Sequence, residues 1–406
     1  MVTGSTPLSA DRAAFDHAHD LTVGAEEELL LLDAETLDLT PASAELVDRL
    51  GDVSRYRREL SASQIELVTG VRAASGVVAD ELGEGRRRVI AAAGGRVRLM
   101  GAGAHPFTAP WTETSTSPRY DSLLDAHGLG ARLGALAAGL HVHVAVNGAE
   151  RSLAVYNGLR AVMPYLIALS ANSPFIAGRD SGLATVRPTL ADALPRHGTG
   201  PALRDWRELE SLVAWGRETG AVPDPSQHWW DCRLNLRTGT VEVRAPDAQP
   251  SLDDAEALIS VVHALASDLA DRHDAGESSI GPSSLAIDEN RWRAARHGLD
   301  GELLDHHAGS AAPARAVIGA LLDRIEPAAD RLGGAPGLRC ARTMLARDTP
   351  AELRSLARRG GMTAICEWMA ERTEQTALGR DSGRAGPGIE PTWTSERRSP
   401  PTRTAR

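Results

Sequence analysis

The run Arg237-Thr238-Gly239-Thr240-Val241-Glu242-Val243-Arg244-Ala245-Pro246-Asp247 alternates polar and apolar side chains from Thr240 to Arg244. In a strand, successive side chains point to opposite faces. Thr240, Glu242 and Arg244 therefore share one face, and Val241 and Val243 anchor the other. The polar face presents a carboxylate and a guanidinium roughly 7 Å apart at strand rise. A carboxylate holds a hard divalent cation and an arginine holds a phosphate. An exposed edge with a solvated ion pair, worth little to stability, is the plainer account of the same residues.

Similar stretches recur. Thr22-Val23-Gly24-Ala25-Glu26-Glu27-Glu28-Leu29-Leu30-Leu31-Leu32-Asp33 reads as a strand whose leucine run continues into a core. Glu26 and Glu28 then face one side and Glu27 the other. Two carboxylates on one face repel, and a divalent cation relieves the repulsion. In Arg58-Glu59-Leu60-Ser61-Ala62-Ser63-Gln64-Ile65-Glu66-Leu67-Val68-Thr69 a loop leads into a strand. Glu66, between Ile65 and Leu67, needs an arginine or a metal if buried. Leu140-His141-Val142-His143-Val144 puts His141 and His143 on one strand face. This spacing is a metal or phosphate signal, with two core histidines bonded to backbone as the alternative. His228-Trp229-Trp230-Asp231-Cys232-Arg233 places Asp231 and Arg233 on one face, in a hairpin with the 240–244 strand.

The other segments frame these strands. Helices are expected over 41–50, 76–93, 150–171, 203–219 and 252–272, with more to about residue 378. Arg86 to Arg88 read as a solvated helix face. His105, at a strand end before Pro106, reads as structural, and His306-His307 as surface. Residues 1–20 read as a flexible N-terminal segment and 379–406, rich in Gly, Pro, Ser, Thr and Arg, as a disordered tail. Residues 21–378 then form a single domain.

Composition narrows the chemistry. With 406 residues and 42% hydrophobic side chains the chain can bury a large core. Its net charge of −10 argues against nucleic acid as the main partner. Cys232, Cys340 and Cys366 show no C-x-x-C spacing, so a reducing, cytoplasmic setting is expected. No signal peptide or membrane-spanning run is expected. The sequence contains no lysine, and all 44 basic residues are arginine. Lysine nucleophiles, Schiff bases and the P-loop lysine are therefore excluded.

Strands with polar groups on one face and apolar residues on the other fit an α+β fold, an antiparallel sheet with helices packed on one face. The open face would gather Glu26, Glu28, Glu66, His143, Glu242 and Arg244, a set for Mg²⁺ or Mn²⁺ and the polyphosphate of a nucleotide.

In chain order, Gly24-Ala25-Glu26-Glu27-Glu28, Ser63-Gln64-Ile65-Glu66-Leu67, Gly103-Ala104-His105-Pro106-Phe107, His141-Val142-His143-Val144, Trp230-Asp231-Cys232-Arg233 and Gly239-Thr240-Val241-Glu242-Val243-Arg244 resemble the carboxylate–amine ligase family, or glutamate–cysteine ligase type 2. Arg291-Trp292-Arg293-Ala294-Ala295-Arg296-His297-Gly298-Leu299 fits it too. The resemblance covers roughly residues 20–375 and implies a curved antiparallel sheet, a glutamine synthetase-like catalytic core. It implies metal-binding roles for Glu26, Glu28, Glu66, His143 and Glu242, and a place for Glu59 at the metal or amine site. Arg244 would neutralise the transferring phosphoryl group, Arg233 would contact substrate or phosphate, and Thr240 would join them at the nucleotide. Leu234 and Thr238 stand where the family often has proline and an aromatic, and Glu27 where relatives are often apolar.

The implied activity is ATP- and Mg²⁺-dependent amide formation through an acyl phosphate, glutamate–cysteine ligase above all, with small-molecule acid and amine partners and room for a homodimer. Two alternatives stand beside it. One is a metal-dependent hydrolase using His141, His143 and the carboxylates; the other is a non-catalytic nucleotide-binding relative.

Overall fold

The computed structural model describes residues 8–379, apart from 110, 278–280 and 306–308. His306-His307 and the tail from residue 380 therefore lie outside the described residues. Seven strands make one antiparallel sheet: β1 (Val23–Asp33), β2 (Tyr56–Arg58), β3 (Gln64–Val68), β4 (Val97–Met100), β5 (Leu140–Ala145), β6 (Cys232–Asn235) and β7 (Thr240–Val243). The order across it is β6-β7-β5-β1-β3-β2, with β4 paired to the C-terminal half of β1. β1 is the hub, because its N-terminal half pairs β5 on one side and β3 on the other.

The alternation read from sequence sets the two faces. Ala25, Leu29, Ile65, Leu67, Val142, Val144, Val241 and Val243 enter one apolar cluster. Helices α2 (Ser75–Ala93), α3 (Ala149–Ser170) and α5 (Leu252–Asp274) cover that face. The leucine run of β1 is buried on both sides. Leu29 and Leu31 join the main core, while Leu30 and Leu32 pack with Met100, Phe175 and Met369 under α6 (Thr349–Gly379). Each such leucine contributes about 1.5–3 kcal/mol, so β1 is held from both faces.

Three expectations are corrected. The N-terminal segment is not loose throughout, since α1 (Leu8–Asp16) is helical and Phe15 is fully buried edge-on to Trp206, with ring centroids 5.1 Å apart. Trp206 opens α4 (Trp206–Thr219), whose N-cap Asp205 accepts from the Glu208 amide. Arg86 to Arg88 are not one solvated face. Arg88 is exposed and pairs with Glu84, whereas Arg86 is fully buried and reaches across to Glu27. Finally, α3 is long and apolar enough to cross a bilayer by composition, but its 18-residue apolar window is 89% buried in this fold. Its apolarity serves the core.

Candidate active site

On the face opposite α2, α3 and α5, register brings distant residues into rows. Glu28 lies opposite Glu66, Glu26 opposite His141, and Glu242 stands between His143 and Arg233. These side chains are separated by up to 216 positions in the chain, yet each occupies the one strand parity that faces away from the main core.

Glu26 is the meeting point. Its Oε2 lies 3.6 Å from His141 Nδ1 and 3.6 Å from His143 Nε2. Arg57 Nη1 stands 3.4 Å from both Glu26 and Glu66. Two groups of donor atoms, each within 4.8 Å of one another, share this carboxylate: Glu26, Glu66 and His141, and Glu26, His143 and Glu242. Both nitrogens of the buried His141 lack a hydrogen-bond partner. Glu28 lies 3.8 Å from His141 Nε2 and accepts from the Gly139 amide at 2.6 Å. A buried imidazole whose nitrogens make no hydrogen bond, set beside carboxylates, fits a cation ligand, because buried polar atoms are otherwise satisfied. Carboxylates in excess of imidazoles suit Mg²⁺ or Mn²⁺ better than zinc.

At the other end of the row, Glu242 is fully buried and saturated. Arg233 donates to it twice, at 2.7 and 3.0 Å, Asn235 at 2.7 Å and Arg244 at 2.5 Å. Arg244 Nε is buried without a partner. Thr240 bonds His143 Nδ1 at 3.0 Å and Thr238 at 2.8 Å, so its hydroxyl orients the imidazole.

The electrostatics follow the charges. Burial pushes the Glu26 carboxyl up, but the imidazoles of His143 and His141 outweigh it and hold it well below the usual range. Burial, with Arg233 and Arg244 prevailing against it, leaves Glu242 well below as well. Glu66 moves the other way, raised well above by burial and by the charges of Glu26 and Glu59. Glu59 itself is pushed up to about 7 by burial and Glu28. Arg244 is raised because Glu242 and Glu28 outweigh burial.

Beside the edge strand β6 lies a cavity of about 290 Å³, lined by Tyr156, Val213, Arg217, His228, Trp230 and Arg233 among others. His228 and Trp230 stack at 4.5 Å and 28°. Arg233 and Asn235 line this cavity and also hold Glu242, so cavity and carboxylate row share a wall.

Every residue expected in the site lies on or beside this face. Asp231, next to it in the hairpin, takes Arg291 at 2.7 Å, and Arg291 also clamps Asp192. Four further residues belong to the site's geometry. His141 was visible through its alternation with His143, Arg57 only through register, Asn235 through its parity with Arg233, and Arg187 through nothing local.

An antiparallel sheet that gathers carboxylates, imidazoles and arginines on its open face defines a class. The fold resembles the solved glutamate–cysteine ligase of Francisella tularensis, in complex with AMP, with TM-score 0.65 and 13% identity over 89% of each chain. It also resembles a bifunctional glutathione synthetase from Pasteurella multocida, with TM-score 0.62 and 13% identity over 92% of this chain and 54% of that one. At such identity these likenesses concern the fold. The chain belongs to glutamate–cysteine ligase family 2, whose model matches residues 22–368. A relative from Rubrobacter xylanophilus, named provisionally as glutamate–cysteine ligase 2-3, is 37% identical over 87% of this chain and 97% of its own. One from Natronomonas pharaonis, named glutamate–cysteine ligase, is 35% identical over 87% and 96%.

Proposed function

We propose that this protein is an ATP- and Mg²⁺-dependent carboxylate–amine ligase that joins the γ-carboxylate of glutamate to the amine of cysteine. The observation that carries the reading is Glu26, one carboxylate shared by two donor groups with Arg233 and Arg244 at the end of the row. The names of the relatives supply glutamate and cysteine as substrates, and the family favours this chemistry over a metal hydrolase.

In this reading Glu26, Glu28, Glu66, His143 and Glu242, joined by His141, hold Mg²⁺, with Mn²⁺ as a substitute. When bound, the ions offset phosphate charge and orient its oxygens. A γ-carboxylate oxygen of glutamate attacks the terminal phosphorus of ATP, and the bond to ADP breaks. The amine then attacks the acyl carbon of the γ-glutamyl phosphate, the C–O bond to phosphate breaks, and inorganic phosphate leaves with the electron pair. Arg244, with its unpartnered Nε, meets the charge that develops on the transferring group, and Arg233 shapes the wall toward the nucleotide. Glu59, titrating near neutrality, is our candidate for the base that takes the amine's proton. No covalent enzyme intermediate is needed, which suits a chain without lysine whose Cys232 and Cys366 thiols are pushed up by burial, Cys366 to about 12.

A coupled assay for ADP release with glutamate, cysteine and Mg²⁺ tests this. ADP should form only when ATP, metal, acid and amine are all present, and Glu26→Gln should slow it by at least about 10²-fold. No ADP with any acid–amine pair sinks the reading.

A further inference from the structure

Arg187 opens a short helix, Arg187–Ala191, well away from the sheet in sequence, and its side chain is 5% exposed. It makes no ion pair among the described residues. Its Nη2 donates to the Arg244 carbonyl at 2.8 Å and its Nη1 to the Ala245 carbonyl at 3.0 Å, while Nε has no partner. Burial lowers its pKa, opposed by Asp247 and Glu28. A guanidinium buried without a carboxylate is costly, and such costs are retained where they serve a purpose.

Gly139 makes the arrangement possible. A Cβ there would stand 2.2 Å from Arg187 Nη2 and 2.8 Å from its Cζ. Gly139 also donates its amide to Glu28 at 2.6 Å. One packed contact therefore joins the backbone of Arg244 to the residue that holds Glu28.

We propose that Arg187 is a positioning residue for Arg244. By gripping two successive carbonyls at the end of β7 it fixes the strand where Arg244 leaves the sheet, and Gly139 is the gap into which its guanidinium fits. The inference rests on the ligase reading, in which Arg244 acts on charge that grows toward the transition state. Loosening Arg244 should then lower kcat and leave the KM for ATP nearly unchanged.

The test is a double-mutant cycle with Gly139→Ala and Arg187→Lys. The alanine meets only the far end of a flexible side chain, so it displaces the guanidinium without removing any charge. Lysine keeps the charge but cannot span both carbonyls. Each variant should lose about 10–10²-fold in kcat, the cost of a misplacement near 1 Å, with KM for ATP within threefold. The double variant should lose no more than the worse single one. Thermal unfolding and active-site titration separate this from a loss of folded protein, which would leave kcat per active site intact. If the wild type releases no ADP, the ligase reading fails and this inference with it. If the wild type turns over while Gly139→Ala keeps its kcat, or if the two losses simply multiply, the inference alone is overturned.

Discussion

At the scale of single residues, two buried groups make opposite uses of hydrogen bonds. His105 is neutral by construction. Its Nδ1 accepts the Thr108 amide at 3.0 Å, and its Nε2 donates to the Leu37 carbonyl at 2.9 Å. Protonating it would set an N–H against an N–H, and burial already pushes it down to about 4. An unfolded histidine titrates near ~6.5. Above pH 6.5 both states are neutral and the group contributes nothing to pH dependence. Between 6.5 and 4 the unfolded chain takes up a proton that the native chain refuses, so stability falls as pH falls, by up to about 3 kcal/mol. His105→Asn keeps an acceptor near Nδ1 and cannot titrate. Urea midpoints at pH 7 and pH 4.5 should therefore converge in that variant relative to wild type; equal slopes would reject the account. Glu242 works the other way, as an anion held by four donors. Glu242→Gln turns an amide toward two guanidinium groups and should cost about 3–5 kcal/mol, read by denaturation, together with loss of turnover.

At the scale of elements, the sheet's helix-covered face buries a carboxylate among its hydrophobes. Glu27 is fully buried between Glu26 and Glu28, and its two oxygens take Arg86 of α2 at 2.6 and 2.9 Å. Arg86 also donates to the carbonyls of Gln249 and Pro250, beyond β7. The pair thus ties hub strand, covering helix and a distant loop into one body. Breaking it with Glu27→Gln or Arg86→Met alone should cost about 3–5 kcal/mol, whereas Glu27→Leu with Arg86→Met should lie near wild type, because the pair's own desolvation disappears with it. Guanidinium denaturation of the three variants checks this, and a double variant as unstable as either single one would count against it. The same pair shows where sequence reading stops. Alternation over 22–33, 140–144 and 240–244 correctly assigned faces, because period two is local. It also put Glu27 on the wrong side for a carboxylate without supplying its partner, which lies 59 residues on in a helix whose arginines look solvated. Asp231, just before β6, likewise takes a partner that no local pattern supplies, Arg291, 60 residues on. Phe15 was missed because one aromatic in a polar segment has no period at all.

At the scale of the whole molecule, the open face is an assembly of strands that share nothing in the unfolded chain. Glu26, Glu66, His141, His143 and Glu242 come from β1, β3, β5 and β7, and only the folded sheet brings their ligand atoms together, in two groups of three that share Glu26, each within 4.8 Å. A cation and nucleotide that bind there bind the native state alone, so they must stabilise it by mass action. Burial, joined by the charges of Glu26 and Glu59, raises Glu66 well above its usual range, so a cation bound there should matter more than its affinity for any one carboxylate suggests. At ligand near 100 times its Kd the gain is about 2.7 kcal/mol. For a chain of this size, with an unfolding entropy of ~2.1 cal/mol/K per residue, that is about 3 °C in Tm. Mg²⁺ with a non-hydrolysable ATP analogue should therefore raise Tm by a few degrees and by more than the sum of the two added singly, since in the proposed reading the triphosphate and the carboxylates would share the cation. Glu26→Gln removes the one carboxylate common to both donor groups. It should abolish the joint shift while the unliganded protein still unfolds cooperatively. A joint shift of wild-type size in Glu26→Gln would mean that the ions and nucleotide meet somewhere other than the carboxylate row, and the functional reading would lose its foundation.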